Sequence, residues 1–162
     1  MNAPQIHLML NHLPVIGLVF VVIALGAGAL TRKDTLVRFG LFLMVGLALA
    51  VVPVFLSGEP AEKRVEHLAG VTKQAIEPHE DMARVATIAL VALGLFALTA
   101  LLRRRHKTVG RGVTVAAFVL SLAAGGLLAW TAHLGGQIRH PELRGDGVSA
   151  DTARGERGED GD

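Results

Sequence analysis

Apolar residues in this chain fall into long unbroken runs, and the polar residues fall into short blocks between them. A bilayer core is roughly 30 Å thick, so a helix needs about 20 apolar residues to cross it. Four runs qualify, at about residues 13–30, 36–56, 82–102 and 113–132. Among Asp, Glu, Lys, Arg and His, only Arg38 and Arg84 enter these runs, and both sit near an end where a long side chain can reach the headgroups. Lipid satisfies no backbone hydrogen bonds, so each run is predicted to be helical. The expected fold class is all-α: an integral membrane four-helix bundle.

The connections carry different patterns. The segment from Ser57 to Asp81 places Ala61, Val65, Leu68, Ala69 and Ile76 within one stripe of a helix, with Pro60 suited to its first turn and Pro78 separating it from the third span. This predicts an amphipathic surface helix at about 60–76, between spans 2 and 3. Residues 1–140 form the expected membrane domain. Residues 141–162, rich in Gly, Asp, Glu and Arg with little to bury, are expected to be a disordered tail. Small residues recur inside the spans, at Gly17, Ala24 and Gly28 and at Ala117, Ser121, Gly125 and Ala129, where they let helices approach closely.

Composition agrees with this reading. The 162 residues are 51% hydrophobic and only 19% charged, too few polar groups to coat a water-soluble domain of this length. Cysteine is absent, which excludes disulfides, iron–sulfur clusters, thiolate metal sites and covalent haem attachment. The net charge of +2 does not call for nucleic acid, because membrane proteins need basic loops. Those loops set an orientation. Arg32, Lys33 and Arg38 lie at the first connection, and Arg103, Arg104, Arg105, Lys107 and Arg111 at the third, so both are expected to face the cytoplasm. No Lys or Arg precedes the first run, which places both termini outside and argues against a cleaved signal peptide. The expected location is a bacterial inner membrane.

Six of the seven histidines then lie on the outer side: His7, His12, His67, His79, His133 and His140. His12, His79 and His133 each fall within about a turn of a span boundary, on three different helices. His133 also continues the four-residue stripe past Ala129 and is expected to point inward. His7 and His12, five residues apart, differ by about 140° on one helix and cannot share a ligand direction unless the helix starts between them. His140 shares a face with His133 only if the helix passes Gly135 and Gly136. Glu80 adjoins His79, Asn11 adjoins His12, Gln137 is one turn past His133, and Arg84 is one turn past Glu80, so these groups could orient the imidazoles. Met9 and Met82 bring thioethers to the same level. Polar side chains are sparse deeper in the spans, which argues against a channel or pump.

The run His7-Leu-Met-Leu-Asn-His12-Leu-Pro14, of the form His-x4-His-x-Pro, resembles the opening of a bacterial family of small four-span membrane proteins of unknown function. That family's usual Pro and aromatic are replaced here by Leu8 and Leu13. Gly135-Gly136-Gln-Ile-Arg-His140 resembles the family's ending. The resemblance implies a four-span fold with histidine motifs on the outer side, and no activity.

Three functions fit these residues. A b-type haem for electron transfer would take two axial ligands from His12, His79 and His133, with His7 and His140 as further candidates. A zinc or copper site would use His12, His79, His133 and Glu80, with Met9 or Met82 favouring Cu(I). A membrane subunit or scaffold would use the surface helix and tail to meet an envelope redox or membrane-protein partner, with its histidines only hydrogen-bonding. No nucleophile–base pair or phosphate loop is present, so an enzyme is the less favoured expectation.

Overall fold

The computed structural model describes residues 2–68 and 71–140, and the expected tail at 141–162 lies outside the described residues. The described chain forms five helices: α1 (Ala3–Thr31), α2 (Asp34–Leu56), α3 (Gly58–Val65), α4 (Lys73–Arg103) and α5 (Arg111–Arg139). The four long ones are apolar enough to cross a membrane. Their outward faces carry Phe20, Ile23, Leu49, Ile88, Leu95 and Leu122, all at least half exposed to the surroundings, which is a surface for lipid rather than water.

α1 starts ten residues before its apolar run. Asn2 accepts a hydrogen bond from the Gln5 N–H, and the Gln5 side chain accepts one from the Asn2 N–H. This reciprocal cap fixes the helix start and puts His7 and His12 on one helix. The turn into α2 takes two residues, with Arg32 in the left-handed region at φ 55°.

The surface helix departs from expectation. α3 stops at Val65, and residues from Lys73 onward already belong to α4, so the helix expected at 60–76 is divided between two elements. Ala69 of the expected stripe lies outside the described residues. α3 follows α2 almost without a break, because the junction residue Ser57 keeps helical angles. Pro78 does not end the approach to span three; α4 runs through it. It is the sixth residue of α4, where proline forfeits little more than one backbone hydrogen bond and packing can hold the helix together.

α1 packs along α2 and α5, and α4 also packs along α2 and α5. α1 and α4 therefore stand opposite each other, as do α2 and α5. The buried positions repeat every seven residues, as in a left-handed bundle seam. They form three layers: Pro14, Val51, Ala86 and Leu128; then Val21, Met44, Leu93 and Ser121; then Gly28, Val37, Ala100 and Thr114. Contacts across the α1–α2 seam keep this register, since a Cβ on Gly28 would meet Val37 and one on Gly40 would meet Leu25.

Candidate functional site

One heptad beyond Pro14, Val51, Ala86 and Leu128 the same positions hold His7, Gly58, His79 and Gly135. All four are half-buried. The bundle therefore ends in a layer of two imidazoles on opposite helices, α1 and α4, and two glycines on the other pair. Each ring lies beside a glycine: a Cβ on Gly58 would stand 3.7 Å from His7 Cε1, and one on Gly135 would stand 3.0 Å from His79 Cε1.

The hydrogen bonds set the tautomers. His79 Nδ1 lies 2.9 Å from the Thr131 carbonyl oxygen on α5. A carbonyl only accepts, so Nδ1 carries a proton and neutral His79 keeps its lone pair on Nε2. His7 Nδ1 lies 2.8 Å from Ser57 Oγ, whose own hydroxyl donates to the Val54 carbonyl at 2.6 Å. Ser57 therefore accepts, and His7 also keeps its lone pair on Nε2. His7 lies before the uninterrupted apolar run that starts at Leu13. Burial, followed by the charge of His79, holds the His7 imidazole below its usual value, while the Val54 carbonyl works the other way. The two rings are thus near enough to repel when charged.

The remaining candidates lie elsewhere. His12 is exposed and donates from Nδ1 to the Leu8 carbonyl one turn back, at 2.6 Å. His133 is exposed rather than turned inward; it leans on Trp130, with ring centroids 5.3 Å apart, and its Nε2 lies 3.1 Å from the Gln137 amide. α5 continues through Gly135 and Gly136, and exposed His140 caps it. His67 is exposed beside Glu66. Met9 is exposed, while Asn11 and Met82 are half-buried. Arg84 pairs with Asp81 at 3.3 Å, not with Glu80. The set His12, His79, His133 and Glu80 is not gathered in one place, and among the described residues no three His, Asp or Glu side chains form a metal-holding group. Ser57, Gly58, Thr131 and Gly135 complete the layer; of these only Gly135 was singled out from the sequence, as part of the Gly-Gly ending and not as a neighbour of His79.

Glu80 instead faces α3, where it shares a hydrogen bond with Glu62. That bond, then burial and the charges of Glu80 and Glu66, raise the Glu62 carboxyl above its usual range, against a smaller opposing effect of Lys73. A raised value means that the folded chain holds this proton more firmly than the unfolded one. Its stabilising effect is present below the ordinary glutamate range and is lost as pH rises through the folded value. Glu62→Gln is therefore expected to melt with the parent in acid and above it at about pH 8; thermal melts at both pH values check this, and equal melting at the higher pH would refute it.

A family model described as "Predicted membrane protein (DUF2231)" matches residues 3–141 of the chain. No curated protein and no solved structure matches it.

Proposed function

Because the chain belongs to the DUF2231 family of predicted membrane proteins, we propose that it is a four-span membrane protein that holds one b-type haem through His7 and His79. The observation that carries this reading is the pairing of two imidazoles from opposite helices, each with Nδ1 engaged and Nε2 left as the lone-pair nitrogen. Histidines that bind metals are commonly anchored in this way through the other ring nitrogen. The donor count selects the group. Zinc wants three or four protein ligands, and copper sites commonly take three. Haem iron takes four nitrogens from the porphyrin and needs two from the protein. His12 and His133 face away, so the pair is His7 with His79.

A haem held by His7 and His79 would supply one-electron transfer rather than catalysis, because these two imidazoles would leave no ligand position open for a substrate. With its basic loops in the cytoplasm, the chain sits in a bacterial inner membrane with both termini outside. The haem then lies at the outer end, within reach of an envelope redox partner.

The test is titration of haem into the detergent-purified full chain, with absorption spectra and metal analysis. One haem per chain with a low-spin, bis-imidazole spectrum is expected. His7→Ala and His79→Ala should each lose that spectrum, and His12→Ala and His133→Ala should keep it. A parent that binds no haem, or binding indifferent to both His7 and His79, would overturn the reading. Copper or zinc that co-purifies and depends on His79 would favour the metal site instead.

A further inference from the structure

The opposite end of the bundle is built around a half-buried clasp. Arg38 donates from Nε to Asp34 at 2.7 Å and from Nη2 to the carbonyls of Arg104 and Lys107, at 2.5 and 2.6 Å. The second Asp34 oxygen accepts from the Val109 N–H at 2.7 Å. The α1–α2 turn and the α4–α5 loop are thereby fastened to each other by two side chains only partly open to solvent.

The clasp has an electrostatic consequence. Between residues 31 and 39 and between 102 and 113 there are eight Lys and Arg and one carboxylate, Asp34. Asp34 is fully engaged by Arg38 and Val109. The other seven cations are exposed, and among the described residues none has a carboxylate partner. The histidine end differs: between residues 57 and 84 four Lys and Arg face six Asp and Glu, and Lys63 and Arg84 are ion-paired. The cations also sit at a defined height. Leu30, 86% exposed, lies two residues before Arg32, and Leu102, 63% exposed, directly precedes Arg103. Both leucines belong to apolar lipid-facing runs, so the guanidinium and ammonium groups stand where a bilayer carries its phosphates.

We propose that this end binds anionic phospholipid headgroups, using Arg104, Arg105 and Lys107 from one loop and Arg32 and Lys33 from the other. The occupant follows from charge and position. The surface has seven uncompensated positive charges, and lipid phosphate is the anion already adjacent to Leu30 and Leu102. A basic surface between membrane helices is suited to such headgroups. Arg38 does not contact the lipid; with Asp34 it holds the two loops together so that their charges act on one site. This inference is independent of haem.

The experiment uses the full chain in neutral detergent, with added phosphatidylglycerol or phosphatidylcholine of the same acyl chains, read by native mass spectrometry and thermal melting. Phosphatidylglycerol should bind on the order of tenfold more tightly than phosphatidylcholine and raise the melting temperature more. Salt should shrink the difference, because partly exposed charges are screened. Inorganic phosphate and glycerol phosphate alone should not reproduce it. The triple variant Arg104→Gln, Arg105→Gln, Lys107→Gln should lose most of the preference, and Lys63→Gln with Arg64→Gln at the other end should keep it. Equal binding of the two lipids by the parent would overturn the proposal without recourse to any variant. So would a preference that the triple variant retains, or one that free phosphate reproduces in full. Polyanionic nucleic acid binding more tightly than the lipid would equally overturn it.

Discussion

Gly94→Leu is expected to part α2 from α4 and abolish the folded bundle, while Gly46→Leu leaves it intact. Both glycines lie inside transmembrane helices, so the loss of backbone freedom is similar. Their surroundings differ. A Cβ on Gly94 would collide with the Cβ of Ala48 and stand 3.3 Å from the Met44 carbonyl oxygen. Alanine and backbone cannot rotate aside, so relief requires the helices to separate. Lipid supplies no hydrophobic drive to bring them back, because a bilayer is as apolar as the interface. Overpacking a close-packed core costs about 1–3 kcal/mol and sometimes more. Gly94→Ala should fall in that range, and leucine, with three further carbons at the same point, should exceed it. Gly46 meets nothing within 4 Å of an added Cβ. Melting of the three variants in detergent checks the order. Equal stability of Gly94→Leu and Gly46→Leu would show that the α2–α4 seam does not have this spacing.

The same close packing explains which parts of the molecule could be read from its residues. Four spans were legible, because a run of about 20 apolar residues has few other uses. The facing of side chains was harder. The stripe Ala117, Ser121, Gly125, Ala129 advances by four residues, and each step of four turns about 40° beyond a full circle. By His133 that stripe has left the interior. The buried face of α5 instead alternates steps of three and four through Thr114, Ala117, Ser121, Ala124 and Leu128, and leads on to Thr131 and Gly135. The same rule on α4 carries Leu93 and Ala86 back to His79, and on α1 carries Val21 and Pro14 back to His7. His7 required one more inference, that α1 begins at Ala3. Asn2 and Gln5, three residues apart, are the capping signature that marks it. The Ser57 and Thr131 contacts join residues 50 and 52 positions apart, which no local pattern encodes.

Gly135 supplies the sharpest test of the proposed haem ligation by His79, because its neighbour Gly136 is a matched control. A Cβ on Gly135 would lie 3.0 Å from His79 Cε1 and 3.2 Å from its Nδ1, whereas one on Gly136 meets nothing within 4 Å. Gly135→Val cannot be accommodated by a small shift, since the ring is held by the Thr131 carbonyl on the same helix as the new side chain. The imidazole must swing away, losing its anchor and its Nε2 direction together. Loss of such an anchoring contact typically costs 10–100-fold in metal affinity, so haem affinity should fall by about that factor. The spectrum should change from six-coordinate low-spin to five-coordinate high-spin, with His7 as the remaining axial ligand. Gly136→Val brings the same small change in helix propensity, a fraction of a kcal/mol in valine's favour, and should retain both affinity and spectrum. Gly135→Ala should fall between them, because a contact of 3.0 Å demands only a few tenths of an ångström of movement. If valine at 135 and valine at 136 bind haem alike, His79 is not an axial ligand.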